Sequence, residues 1–253
     1  MIERQLYAIL LIAMFVAAAI VFVVLLFIAA PYGRHTRRGW GPRINSRLGW
    51  VIMESPAVIV FALCFALGDR TTSMIPIAFL ALWQTHYIHR TYVFPFRMRW
   101  DRKHMTLLVM SIGFIFNAAN AYLNGRYINT VGPGYPSGWM MDPRFIIGVL
   151  LFFTGFAINL HSDSVLRGLR MPGETGYKIP HGGLFERVSC ANYFGEILEW
   201  CGWAVATWSL PGLAFAVWTA ANLVPRARAH HHWYPSQFTD YPPQRRALIP
   251  FLF

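Results

Sequence analysis

Residues 5–30 read "QLYAILLIAMFVAAAIVFVVLLFIAA", a run without a charged side chain. A helix of about 20 apolar residues crosses the hydrocarbon core of a bilayer, so this run is long enough to span one. It lacks a small-residue cleavage pattern and therefore reads as a span, not as a secretory signal. The rest of the chain is similar in character. Of 253 residues 56% are hydrophobic and 13% charged, against about 25% charged in soluble domains. Further apolar runs at 49–67, 74–94, 104–122, 145–161, 191–208 and 210–225 complete a set of seven. The expected fold is all-α: one membrane domain over 1–253, a bundle of seven transmembrane helices.

A net charge of +11 raises the question of nucleic acid, and the positions of the charges answer it. Of the 22 lysines and arginines, 18 fall in alternate inter-span segments and 4 in the others. Cytoplasmic loops carry such an excess, so the N-terminus is expected outside and the C-terminus in the cytoplasm. Nucleic acid is not an expected partner. The three cysteines, Cys64, Cys190 and Cys201, are odd in number and lack metal-type spacing, which suits packing as small apolar residues.

Ionisable groups inside membrane spans are costly and are functional candidates by default. Glu54 lies in the second run, about 8 Å from its cytoplasmic end at Gly49, and Tyr87 in the third, about 10 Å from its end at Phe94. The two are thus expected at one depth. If the fifth helix continues past 161, Asn159, Asp163, Arg167 and Arg170 form one stripe, and Asn192, Glu196 and Glu199 form another on the sixth. Together these predict a polar pocket open to the cytoplasm. Blander readings exist: Glu54 precedes Ser55-Pro56 and could bond backbone freed by the proline, and His86 and His89 could snorkel to the interface.

The segment "HSDSVLRGLRMPGETGYKIPHGGLF" (161–185) is polar and turn-rich between apolar runs. It reads as part of a cytoplasmic loop, 161–190, lying over the pocket and offering cations and backbone donors to phosphate groups. The cytoplasmic tail, 226–253, adds more cations and aromatics. Neither GxGxxG nor GxxxxGK[ST] occurs, which leaves no Rossmann or P-loop site. His230, His231 and His232 point about 100° apart on a helix and are poorly placed to share a metal, so none is expected. Trp50, Trp200 and Trp203 suggest an apolar half to the pocket, although tryptophans also serve as interfacial anchors.

"HYIHRTYVF", "NLHSDSVLRGLRMPGETGYKIPHGGLFERVSCANYFGEILEW", "HHHWY" and "DYPPQRRALIPFLF" resemble the steroid 5α-reductase family, the 3-oxo-5α-steroid 4-dehydrogenases. Length and motifs look nearest to the vertebrate type 2 enzyme. The resemblance implies a seven-helix membrane enzyme that uses NADPH to reduce the 4,5 double bond of 3-oxo-Δ4-steroids. Glu54 and Tyr87 match residues that contact the steroid 3-keto oxygen. Tyr32, Arg34, Asn159, Asp163, Arg170, Tyr177, Asn192, Glu196, His230 and Tyr234 match the cofactor-binding groups, and Trp50 and Trp200 match residues lining the steroid pocket. Implied with these are an apolar substrate drawn from the bilayer, contact with membrane lipids and a monomer. The membrane would be endoplasmic reticulum in a eukaryote or the inner membrane in a bacterium. Other readings are a reductase of another apolar enone or enoyl lipid, a membrane methyltransferase using S-adenosylmethionine, and a non-enzymatic sterol-binding protein.

Overall fold

The structure, a computed structural model, describes residues 2–28, 41–98, 104–170, 174 and 176–253. By its contacts the chain falls into two compact units: Met1–Ala13 with Pro31–Phe145, and Met14–Ala30 with Ile146–Phe253. The helix α1 (Ile2–Phe27) contributes to both.

In the first unit a short antiparallel pair, β1 (Arg43–Asn45) and β2 (His104–Thr106), starts two helices side by side. Helix α2 (Ser46–Ala66) follows β1 directly, capped by Asn45, whose side chain accepts from the Arg47 and Leu48 amides. Helix α5 (Leu107–Arg126) follows β2, capped by Thr106, which accepts from the Val109 amide. Contacts between α2 and α5 rise together along both helices, Gly113 with Met53 and Gly125 with Cys64, so the two run parallel and in register. Close approach needs small residues, and α5 supplies them: a Cβ on Gly113 would meet the Met53 side chain, and one on Gly125 would meet Cys64 and Phe61. Near the far end of α5, Tyr7 of α1 donates to the Leu123 carbonyl at 2.9 Å.

Between them run α3 (Met74–Ile88), a π turn at His89–Val93 and the short α4 (Phe94–Arg97). Three bonds tie this segment to α2: Trp83 Nε1 donates to the Ala57 carbonyl at 2.9 Å, Gln84 Nε2 to the Val58 carbonyl at 3.0 Å, and Trp50 Nε1 to the Arg90 carbonyl at 3.1 Å. Residues 57, 58 and 50 therefore face 83, 84 and 90, an antiparallel register.

In the second unit, α6 (Pro143–Gly168) and α7 (Ala191–Thr207) pack backbone to backbone. Glycines face the contact from both sides. A Cβ on Gly148 would strike the Ala206 backbone, on Gly155 that of Glu199, on Gly195 that of Asn159, and on Gly202 that of Phe152. A tight corner then turns the chain: Trp208 adopts a left-handed conformation at φ 43°, and Ser209 accepts from the Gly212 amide at 3.1 Å. It leads into α8 (Leu210–Gln237).

Two boundaries differ from the sequence reading. Helix α6 runs to Gly168, well beyond 161, so Asn159, Asp163 and Arg167 do share it; Arg170 lies past its end, because the helix stops at a glycine, the poorest helix former after proline. Helix α8 runs to Gln237 through Pro225 and Pro235, so the first part of the expected tail is helical. Among the described residues, four helical stretches, Ile2–Phe27, Ser46–Ala66, Leu107–Val131 and Pro143–Gly168, are long and apolar enough to cross a membrane. Large apolar residues of α1, among them Ile9, Ile12, Val16 and Ile20, are exposed. The chain is an integral membrane protein of helical architecture.

Candidate functional site

In the first unit, the register just described sets residue 54 of α2 level with residues 86–87 of α3, and so bears on the common depth expected for Glu54 and Tyr87. The Tyr87 ring is buried, 4.8 Å from Trp83 and 4.9 Å from His86. His86 is itself buried and does not reach outward to the interface, since its ring is clamped edge-on against Tyr87. Glu54 is half-buried and meets Asn117 of α5, whose Nδ2 donates to Glu54 Oε2 at 3.1 Å and to the Met53 carbonyl at 2.9 Å. Arg90 holds its guanidinium 4.8 Å from the Trp50 ring and 4.6 Å from that of Phe94. The two rings themselves lie 5.4 Å apart, and this cation–π cluster fixes Trp50 where α2 meets the π turn, a local widening of a helix often found at functional sites.

In the second unit, the glycine contacts bring the end of α6 against the start of α7. Asn159 Nδ2 donates to the Asn192 carbonyl at 3.0 Å; Asp163 is buried and Glu196 half-buried. The Arg170 guanidinium lies 5.8 Å from the Tyr177 ring, which meets Trp233 of α8 edge-on at 5.1 Å. His230 sits 5.7 Å from Tyr193, and Arg226 donates to the Tyr193 hydroxyl at 2.9 Å. Tyr234 stacks on Tyr241 at 5.0 Å. Trp200 belongs to the helix core, packed with Phe152, Trp203 and Phe215. Tyr32 and Arg34 lie outside the described residues.

Chain after α8 returns to the 176–190 loop and is fastened to it. Arg246 donates its amide to the Arg187 carbonyl, and the Ser189 amide donates to the Arg246 carbonyl. Ser189 Oγ lies 2.6 Å from His231 Nδ1, 2.6 Å from the Tyr241 hydroxyl and 3.1 Å from the Arg246 carbonyl. A hydroxyl has one proton. If it goes to the carbonyl, His231 Nδ1–H and Tyr241 O–H both donate to Ser189. Burial holds the His231 ring below the ordinary histidine range and pushes the Tyr241 phenol up. Nearby, buried Arg245 donates to the Pro180 carbonyl at 2.8 Å. Glu186 accepts from the Gly182 amide at 2.6 Å, which, with Arg245 and His181 close by, keeps its carboxyl below the usual range.

Comparison with known proteins decides the family. Residues 103–253 match the family described as 3-oxo-5-alpha-steroid 4-dehydrogenase. The chain is 46% identical to 3-oxo-5-alpha-steroid 4-dehydrogenase 1 of Homo sapiens, covering 88% of this chain and 86% of that one. It is 45% identical to the Bos taurus enzyme of the same name over 91% of each chain, and 40% identical to steroid 5-alpha-reductase DET2 of Gossypium hirsutum over 99% of each. The chain belongs to the 3-oxo-5-alpha-steroid 4-dehydrogenase family. It is an enzyme of the oxidoreductase class acting on CH–CH groups. These relatives are animal type 1 and plant proteins, and they do not carry the expected nearness to the vertebrate type 2 enzyme.

Sequence reasoning missed Asn117, Ser189 and Arg245, and weighed His231 only as a metal ligand. Asn117 had a signal: with Asn120 and Asn124 it forms an i, i+3, i+7 stripe on an otherwise apolar helix. For the others there was none, since their partners come from distant, irregular chain.

Proposed function

We propose that this member of the 3-oxo-5-alpha-steroid 4-dehydrogenase family reduces the 4,5 double bond of 3-oxo-Δ4-steroids to 5α-dihydrosteroids, with Glu54 and Tyr87 polarising the 3-keto oxygen. The observation that carries this reading is a carboxyl group on an apolar helix, held by an amide and standing level with a buried phenol. Reduction of a conjugated enone at C5 drives negative charge onto the carbonyl oxygen. A phenol donor beside a carboxyl group, both preset in an apolar setting, stabilises that charge. Tyr87 acts as the proximal donor, and Glu54 either polarises it or shares the oxygen.

The cofactor is NADPH, which when bound supplies the hydride to C5. The donor set of the second unit suits such a dinucleotide. Arg170 and Lys178 carry charge for phosphates, Asp163 and Glu196 can accept from ribose hydroxyls, Tyr177 offers an aromatic face, and Asn159 an amide. Asn192, His230 and Tyr234 complete the group; Tyr32 and Arg34 are assigned to the cofactor from the family resemblance alone. Trp50 lines the steroid pocket beside Glu54 and Tyr87. The apolar substrate enters from the bilayer, a monomer is the working unit, and the chain spans the membrane seven times; the bias of lysine and arginine between spans supports an N-terminus outside and a pocket open to the cytoplasm.

The test is NADPH oxidation by the detergent-purified protein with testosterone or progesterone, with the product's C5 stereochemistry read by NMR. A 5α-dihydro product is expected. NADPH binding without turnover of any 3-oxo-Δ4-steroid would move the reading to another apolar enone. A folded protein that binds S-adenosylmethionine and not NADPH would overturn it.

A further inference from the structure

We propose that Asn117 is a positioning residue for Glu54, holding Oε2 as the hydrogen-bond acceptor so that any proton on the carboxyl group resides on Oε1. The inference rests on the reading of Glu54 given above and extends it to a residue on a third helix.

Asn117 is buried, 6% exposed, so its amide must be satisfied within the protein. The orientation of that amide is fixed chemically. The Met53 carbonyl at 2.9 Å can only accept, so the side facing α2 is the NH2 group and not the amide oxygen. That group has two protons. One goes to Met53, and the other to Glu54 Oε2 at 3.1 Å. On the same helical stretch, Asn124 donates to Asn120, and Asn129 to the Gly125 carbonyl. Asn117 reaches across to α2.

The reach is built into the packing. Gly113 lies one turn before Asn117, and its missing Cβ makes room for the Met53 side chain. Strand pairing and the Asn45 and Thr106 caps fix the starts of both helices. A neutral carboxyl group accepts far better through its carbonyl oxygen than through its hydroxyl. An N–H aimed at Oε2 therefore selects the form with the hydroxyl on Oε1. Loss of that donor weakens the selection between the two oxygens, and only one of them is the donor the reaction uses.

Two substitutions test this. Asn117→Leu removes the donor with an apolar side chain of similar size, and Asn117→Asp keeps the shape but turns the donor into an acceptor unless it is protonated. Steady-state kinetics would be measured from pH 5 to 9 beside Glu54→Gln, with NADPH affinity and thermal unfolding as controls for folding. Expected for both Asn117 variants is a kcat about tenfold lower, on the scale of a lost supporting partner, with NADPH affinity unchanged. The Asn117→Asp deficit should shrink as pH falls, because a protonated carboxyl group there donates to Oε2 again; the Asn117→Leu deficit should not. Folded Asn117 variants with wild-type kcat, beside an impaired Glu54→Gln, would overturn the positioning role alone. An Asn117→Asp deficit that stays constant with pH would do the same. Wild-type turnover by Glu54→Gln would instead remove the reading on which the inference stands.

Discussion

Around Glu54 the polar contacts run between helices, and their geometry follows from how closely the helices approach. Where the 176–190 loop meets the chain after Gln237, it follows from a web of bonds to backbone carbonyls. The first kind of site is precise because glycines and caps leave the helices one register; every side chain on them moves if that register is lost. The second kind is redundant, with Ser189, Arg245, Arg246 and Glu186 all fastening the same two strands of chain. A helix-borne site should therefore be sensitive to single added methyl groups, and a loop-borne one to the loss of its central bonds only.

The largest effect is expected where helices touch through glycine. Gly195→Val in α7 would press a branched side chain onto the Asn159 backbone and the Gly155 carbonyl, costing about 3 kcal/mol or more. Yield and the midpoint of thermal unfolding should both fall; a normal midpoint would show that α6 and α7 can separate freely.

Ser189→Ala comes next. It removes the hydroxyl shared by His231, Tyr241 and the Arg246 carbonyl, at about 1–3 kcal/mol. The same contact has a pH signature. Burial sets the folded His231 pKa below its unfolded value, so the unfolded chain binds the proton more readily and stability rises with pH. This contribution is complete above the ordinary histidine range and is lost as pH falls through that range toward the folded value. His231→Gln should flatten the dependence between pH 7 and 5; an unchanged slope would assign it elsewhere.

Glu186→Gln should have the smallest effect, about 0.2–1 kcal/mol, as for other exposed ion pairs. The Glu186 pKa is depressed when folded, so its contribution is present above the unfolded value and fades as pH falls through the folded one. Equal unfolding midpoints for wild type and variant at pH 3, with a gap at pH 7, is the pattern to find.

How much of this was legible beforehand follows the same division. Apolar runs located the helices, because a membrane demands length and hydrophobicity that soluble chains do not show. Glu54 and Tyr87 stood out because a polar group in such a run is rare. Helix ends were harder: the last apolar run stops at 225, yet α8 continues through Pro225 and Pro235, since tertiary packing can carry a helix past its breakers. Asn117 was passed over because a neutral amide stands out less than a charge. Ser189 and Arg245 depend on chain 42 to 65 residues away, and periodicity holds no record of such pairs.

The most direct test of the account is turnover of a 3-oxo-Δ4-steroid by Tyr87→Phe and Glu54→Gln, with NADPH affinity measured on the same samples. The account predicts a kcat at least about a hundredfold lower in each, the scale of losing one preset donor to a developing oxyanion, with NADPH bound as in the wild type. Two folded, NADPH-binding variants that reduce the steroid at the wild-type rate would contradict it.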